Sequence, residues 1–333
     1  MLVIPIFIPH RGCPHDCLFC NQQKISGYDR DNTAPPAVAE TIDEWLGRNI
    51  NRSEVQVAFF GGSFTCLPQR EQVELLSAVR PYIEEKKVDT IRLSTRPDCL
   101  DPAICALLLE YNVGVVEVGA QSLTDKVLQK SLRGHTSEQT RNGFRLLKES
   151  GMQVGLQLMP GLPGETTGSF LKVIEEVILL QPDFVRLYPA LVVRESGLEK
   201  LYHAGSYRPL SLGRAIALTA RCYQKLSAAG IKVVRMGLQP SASLEQSVVA
   251  GPYHPAFGEL VQSRLWLKKI RAELGLLSAE QSLLIHISHR DMSAVVGMKK
   301  QNTKRLEELG FSGRFTIIPD KNMARGNIHY AVC

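Results

Sequence analysis

Residues Val3–Asn21 read VIPIFIPHRGCPHDCLFCN, an apolar run followed at once by a loop holding three cysteines. The run Val3–Ile8 has the unbroken apolar character of a strand covered on both faces, as in a parallel sheet. The loop after it has the spacing C-x3-C-x2-C, with Cys13, Cys17 and Cys20 inside eight residues. Of the chain's eight cysteines, the other five (Cys66, Cys99, Cys105, Cys222 and Cys333) are scattered. One dense cluster among dispersed cysteines points to metal or cluster ligation in a reducing compartment rather than to a disulfide framework.

The same grammar continues downstream. Apolar runs recur at Val55–Phe60, Thr90–Thr95, Gly114–Val118, Val154–Met159, Phe184–Tyr188 and Lys232–Arg235. Helical patterns separate them, at about Ala37–Asn49, Gln69–Glu84, Pro102–Glu110, Ser137–Glu149, Thr167–Leu180 and Leu212–Ala229. Gly151 and Gly230 stand where helices stop, and Asp101-Pro102 is a cap followed by proline at the first helical position. Six or seven strand–helix units predict an α/β fold, a full or partial (β/α) barrel whose site is built from the loops after the strands. The cysteine loop, Gly61–Phe64, Arg96–Asp98 and Gln121 all follow strands.

The loop Gly251–Gly258, GPYHPAFG, marks a boundary. Residues 1–250 are expected to form the barrel core. Residues 251–333 are expected to form a small α/β appendage: a helix near Glu259–Leu274, a strand Leu283–Ile287, one long helix near Met292–Leu309 and a strand Arg314–Ile318.

The 333 residues are 44% hydrophobic, enough for a packed core. No apolar run reaches the roughly 18–20 residues of a membrane span. Met1–Pro9 lacks a basic leader and a small-residue cleavage site, so it reads as a strand, and the expected location is cytoplasmic. Of the net charge of +6, five units lie from Gly258 onward, where twelve Lys or Arg face seven Asp or Glu. Such a region fits a polyanion such as nucleic acid, or simply a lysine-rich surface.

Three thiolates can hold three irons of a 4Fe–4S cluster and leave the fourth open to chelate the amino and carboxylate groups of S-adenosylmethionine (SAM). A zinc site with His10 or His15 as fourth ligand is the alternative, but zinc sites usually pair two short ligand motifs, and no second pair exists here. Phe19 precedes the last cysteine, and Gly61-Gly62-Ser63 offers exposed backbone groups after the second strand. With these motifs the chain resembles the radical SAM superfamily. Over roughly residues 1–240 it resembles the radical SAM domain of the Elongator catalytic subunit, which modifies wobble uridines of tRNA. The matching stretches are Thr95–Asp98 (TRPD), Val118–Ser122 (VGAQS), Arg133–Thr136 (RGHT), Met159–Pro163 (MPGLP), Leu187–Val192 (LYPALV) and Gly197–Pro209 (GLEKLYHAGSYRP). A weaker similarity runs to oxygen-independent coproporphyrinogen oxidase.

The resemblance implies a cluster on Cys13, Cys17 and Cys20, with SAM contacted by Gly61, Gly62, Ser63, Gln121, Arg133 and Gln157; Phe19, the aromatic before the last cysteine, joins the candidate cofactor site, and Arg96 with Asp98 on the expected barrel rim either fixes the SAM ribose or pairs at a strand end. It implies a reductant such as flavodoxin or ferredoxin, and tRNA as substrate. Three features depart from the Elongator pattern: the compact first cysteine gap, Ser94 in place of a glutamate, and too few residues after 250 for an acetyltransferase domain. Action on a small metabolite or tetrapyrrole, or a non-catalytic cluster- and SAM-binding role, therefore stays open.

Other residues carry two readings each. Tyr253 and His254 either pack an interdomain loop or form a lid that meets substrate. Lys299, Lys300, Lys304 and Arg305 either solvate the last helix or bind RNA phosphates. His135 either caps locally or serves the site, and Cys66 reads as a buried inert thiol.

Overall fold

A computed structural model describes residues 1–8, 11–21, 24–25, 34–48 and 53–333. Two compact units are present: Met1–Ala215 with Cys222–Tyr253, and Ile216–Arg221 with His254–Cys333.

The first unit is built on seven parallel strands in sequential order. These are β1 (Leu2–Phe7), β2 (Val55–Phe60), β3 (Thr90–Thr95), β4 (Val113–Gln121), β5 (Gln153–Leu158), β6 (Phe184–Leu187) and β8 (Lys232–Met236). Helices α1 (Pro35–Arg48), α2 (Gln69–Glu84), α3 (Pro102–Glu110), α4 (Asp125–Lys130), α5 (Ser137–Glu149), α6 (Thr167–Leu180), α7 (Gly197–His203) and α8 (Leu212–Ala228) lie between them. A short pair, β7 (Val192–Val193) with β9 (Val248–Ala250), and helix α9 (Ala242–Ser247) complete the elements. The helix starts are chemically specified. Asp101 accepts from the Ile104 amide, and Thr136 with Gln139 forms a reciprocal capping box at α5.

Strand alternation divides the sheet into two unlike faces. Ile4, Ile6, Val57, Phe59, Ile91, Leu93, Val116, Val154, Leu156, Val185 and Leu187 are buried on one face. The register places Phe60, Arg92, Ser94, Glu117, Gln157, Arg186 and Arg235 on the other. That polar face is the inside of a curl. In a flat sheet β2 and β6, four strand spacings apart, would lie about 19 Å from each other. Instead the Arg186 guanidinium sits 5.7 Å from the Phe60 ring centroid. The first unit is thus a curled half-barrel with β1 and β8 at its edges, the partial (β/α) barrel anticipated from the sequence.

The floor of the curl is an ion network. Glu117 accepts from Arg92 Nε at 2.6 Å and lies 2.7 Å from Arg186 Nε, and its carboxylate is 4% exposed. Arg92 also stacks on Phe184, and Arg186 donates to the Tyr188 hydroxyl at 3.0 Å. One carboxylate therefore faces two guanidiniums in a site with little water.

The second unit has a mixed three-stranded sheet in the order β11 (Phe315–Asp320), β10 (Leu283–Ser288), β12 (Ile328–Val332). Helix α10 (Phe257–Leu274) packs on it through Trp266, Ile270 and Leu274. Two expectations need correction here. Strand β12, antiparallel to β10, was not anticipated. The long helix Met292–Leu309 is broken into α11 (Met292–Val296) and α12 (Gln301–Leu306). Gly297, Lys299 and Lys300 adopt positive φ between them, and the buried Asn302 amide donates to the Ala294 and Val295 carbonyls that would otherwise continue the helix. Lys299 and Lys300 lie in this break, so they do not share a helical face with Lys304 and Arg305, and Arg305 pairs with Glu308 at 2.8 Å.

Candidate active site

The cysteine loop lies at the carboxyl end of β1 and is fastened on three sides. Its Leu18 amide donates to the Ser131 carbonyl after α4, and its Leu18 carbonyl accepts from Leu198 at the start of α7. Asn21 donates to the Arg194 carbonyl, and Arg11 pairs with Glu71 of α2. Phe19 packs among Val127, Met159, Leu162 and Tyr188. The loop thus spans the open end of the curl between elements far apart in sequence.

Glycine makes the close approach to β2 possible. A Cβ on Gly62 would stand 2.3 Å from the Arg11 carbonyl oxygen, and one on Gly12 would stand 2.2 Å from that of Ser63. The Ser63 amide donates to the Arg11 carbonyl, stitching the two loops. Gly62→Ala should therefore cost about 1–3 kcal/mol, as overpacking against backbone does. Urea unfolding measures it, and an unchanged midpoint would refute the contact. The Ser63 hydroxyl faces Thr95 and receives the Arg96 amide, so it braces the loops after β2 and β3.

Two buried arginines face the cysteine loop. Arg133 donates to the Gly119 carbonyl at 2.7 Å and approaches Cys17 Sγ at 3.4 Å. Arg96 forms a two-pronged pair with Asp98 and donates to the Arg133 carbonyl at 2.7 Å. Among the described residues, Arg133 Nε and Arg96 Nη1 are buried N–H groups without a hydrogen-bond partner. Burial raises the Cys13 thiol, while Arg133 and Arg96 oppose that rise. Gln121, at positive φ at the end of β4, accepts from Gln157 at 3.3 Å on the concave face.

His135 is enclosed beside this group. Burial, then the Arg133 charge, push its imidazole down to about 3. The unfolded chain takes up the proton near pH 6.5 and the folded one does not, so this contribution to stability is full above pH 6.5 and is lost as pH falls from about 6.5 towards 3. The urea midpoint should fall over that window, and His135→Gln should flatten that limb. An equal slope in both proteins would exclude His135 as its source.

Of the residues singled out from the sequence, the structure gathers Cys13, Cys17, Gly61, Gly62, Ser63, Arg96, Gln121, Arg133 and Gln157 at one end of the half-barrel, with Cys20 and Phe19 on the same loop. Among the described residues no three His, Cys, Asp or Glu side chains converge at metal-binding range. His15 stacks against Gly134, and His10 lies outside the described residues. Tyr253 donates to Glu245 at 2.9 Å, and His254 Nδ1 accepts from the Ala256 amide, so both polar groups have local partners. Cys66 is no inert thiol: it forms a disulfide with Cys99. Both follow adjacent parallel strands by a few residues, which sets their Cα atoms 5.2 Å apart, inside the range a disulfide needs. The sequence reading also passed over Arg92, Glu117 and Arg186. Their signal was a charged residue flanked by aliphatics in the middle of a buried strand.

Comparison with known proteins settles the family. The sequence profile of the Radical SAM superfamily matches residues 7–177, and that of the Radical SAM C-terminal domain matches residues 182–266. The chain belongs to the radical SAM superfamily. It is 28% identical over 262 residues to the mouse Elongator complex protein 3, covering 64% of this chain and 47% of that protein. It is 32% identical over 137 residues to the tRNA uridine(34) acetyltransferase of Methanocaldococcus jannaschii, covering 40% of this chain and 25% of that enzyme. The chain thus spans about half or less of the length of these two relatives. The solved structure of Methanocaldococcus infernus Elp3 with an N-terminal deletion superposes with a TM-score of 0.63 at 22% identity, over 83% of this chain and 63% of that one. That likeness shows the shared half-barrel fold. This radical SAM protein is an enzyme, and none of its described helices is long and apolar enough to cross a membrane.

Proposed function

We propose that this enzyme reductively cleaves S-adenosylmethionine at a 4Fe–4S cluster held by Cys13, Cys17 and Cys20, and uses the resulting radical to modify a tRNA base. The observation that carries the proposal is the C-x3-C-x2-C loop at the end of β1, facing two buried guanidiniums that each keep an N–H with no partner among the described residues. Three soft thiol donors beside buried guanidiniums, of which Arg96 is paired with Asp98, suit a thiolate-held cluster and the carboxylate of SAM. A 4Fe–4S cluster held by Cys13, Cys17 and Cys20 would supply one electron for the reductive cleavage of SAM. A flavodoxin- or ferredoxin-like protein is the proposed electron source.

The chain's own residues have definite tasks in this reading. Arg133 donates towards Cys17 Sγ and so fixes its place in the loop. Arg96 holds the Arg133 backbone in place. Gln121 and Gln157 offer amide donors and acceptors on the concave face for hydroxyl or base edges. The Arg92–Glu117–Arg186 network closes the floor and keeps water from a reactive carbon radical.

The tRNA assignment is supported by the Elongator relatives and by the +5 charge from Gly258 onward. The test is 5′-deoxyadenosine formation by anaerobically reconstituted enzyme with dithionite, with and without bulk tRNA. A rise with tRNA is expected. Formation indifferent to tRNA would overturn the RNA substrate and favour a metabolite.

A further inference from the structure

Two of the stretches that resemble Elongator, MPGLP and GSYRP, have no task in the chemistry above. The fold brings them together. The loop after β5, the loop after α7 and the end of α4 enclose a cavity of about 360 Å³, lined in part by Lys130, Leu162, Glu165, Tyr207, Arg208 and Leu210. This is the size of a small-molecule site.

The lining is chemically selective. Tyr207 Oη donates to the Gly161 carbonyl at 2.7 Å, and the Gly161 amide donates to Glu165 Oε2 at 2.7 Å, which fixes the floor. Burial pushes the Glu165 carboxyl up to about 8. At the rim Lys130 lays its stem across Gly164, where a Cβ would stand 2.7 Å from Lys130 Cδ. Lys130 and Arg208 are exposed, and among the described residues neither has an ion-pair partner. Leucines form an apolar wall, and Leu162 also packs with the Phe19 cluster. The cavity therefore shares a wall with the cysteine loop.

Two free cations beside a cavity lined by leucines on one part and by polar groups on the rest fit one anionic group joined to a body that is part apolar and part polar. We propose that this cavity binds a nucleotide phosphate between Lys130 and Arg208, with the nucleoside against the leucine wall. Resting on the tRNA reading, the phosphate belongs to the RNA strand, and the site anchors that strand beside the cysteine loop. A free nucleotide presents the same chemistry, and the experiment separates the two.

The full chain is titrated with uridine 5′-monophosphate, with uridine and with bulk tRNA at several salt concentrations. Wild-type protein should bind the monophosphate and not uridine. Lys130→Gln/Arg208→Gln should weaken that binding about tenfold or more, because both charge-assisted contacts are lost. Lys130→Arg/Arg208→Lys should retain it, which separates charge from folding. With tRNA, the slope of log K against log salt should shrink by about 0.7 in the double glutamine variant, one phosphate's worth on a single strand. Monophosphate binding that is lost in that variant, alongside unchanged tRNA binding, would keep the phosphate site and assign it to a free nucleotide. Equal monophosphate binding in wild type and variant, or none in wild type, would overturn the site. Failure of tRNA to raise 5′-deoxyadenosine formation would count against the RNA substrate alone, because monophosphate binding does not depend on it.

Discussion

Cys17→Ala protein, reconstituted anaerobically with iron and sulfide, should lose both the cluster absorbance and 5′-deoxyadenosine formation. Cys17 is the most enclosed of the three thiols, 7% exposed, and the one that Arg133 faces at 3.4 Å. Removing it takes away one of three ligands and leaves a buried guanidinium with less to bind. Loss of an outer partner of a metal ligand costs roughly 10–100-fold. Loss of a ligand itself should exceed that, a fall of about 100-fold or more. Iron content per chain and product yield measure it together. A variant that kept near-wild-type iron and product would mean that the loop is not the cluster site.

Glu117→Ala should be the most destabilising substitution in the barrel. It leaves the Arg92 and Arg186 guanidiniums facing each other without their shared carboxylate, in a floor where Glu117 is 4% exposed. Removing one member of a buried ionic group costs about 3–5 kcal/mol, because the remaining charge is uncompensated. Set against a total stability of roughly 5–15 kcal/mol, that is enough to lower the yield of folded protein. Urea unfolding of the two proteins gives the difference. A loss well under 1 kcal/mol would mean that water reaches the floor and screens the pair.

The barrel was readable because its strands and helices obey local rules. Thr90–Thr95, Gln69–Glu84 and Ser137–Glu149 begin and end where apolar periodicity and caps place them. Helix α6 also ends as expected at Leu180, although its left-handed stop residue is Gln181 and not a glycine. Local rules failed at Met292–Leu309. There an apolar stripe spans a break that Asn302, a residue distant from the chemistry, enforces by bonding the carbonyls of the preceding turn. Strand β12 has little local signal, and its pairing with β10 is a tertiary event.

The cysteine loop and its glycine partners were legible because iron chemistry and close backbone approach each demand particular residues. The Cys66–Cys99 pairing was not. It depends on two turns meeting across adjacent strands, which spacing in sequence does not encode. Nor was the Lys130–Arg208 cavity, since Lys130 ends α4 and Arg208 lies beyond α7.

The most direct test of the central claim is a single-turnover assay of the wild-type enzyme. Protein with a full cluster, reduced by dithionite, is given SAM, and 5′-deoxyadenosine and methionine are counted by mass spectrometry. The radical cleavage proposed here predicts the two products in equal amounts, and neither product when the reductant is left out. A fully loaded cluster that yields no 5′-deoxyadenosine under reduction would contradict it.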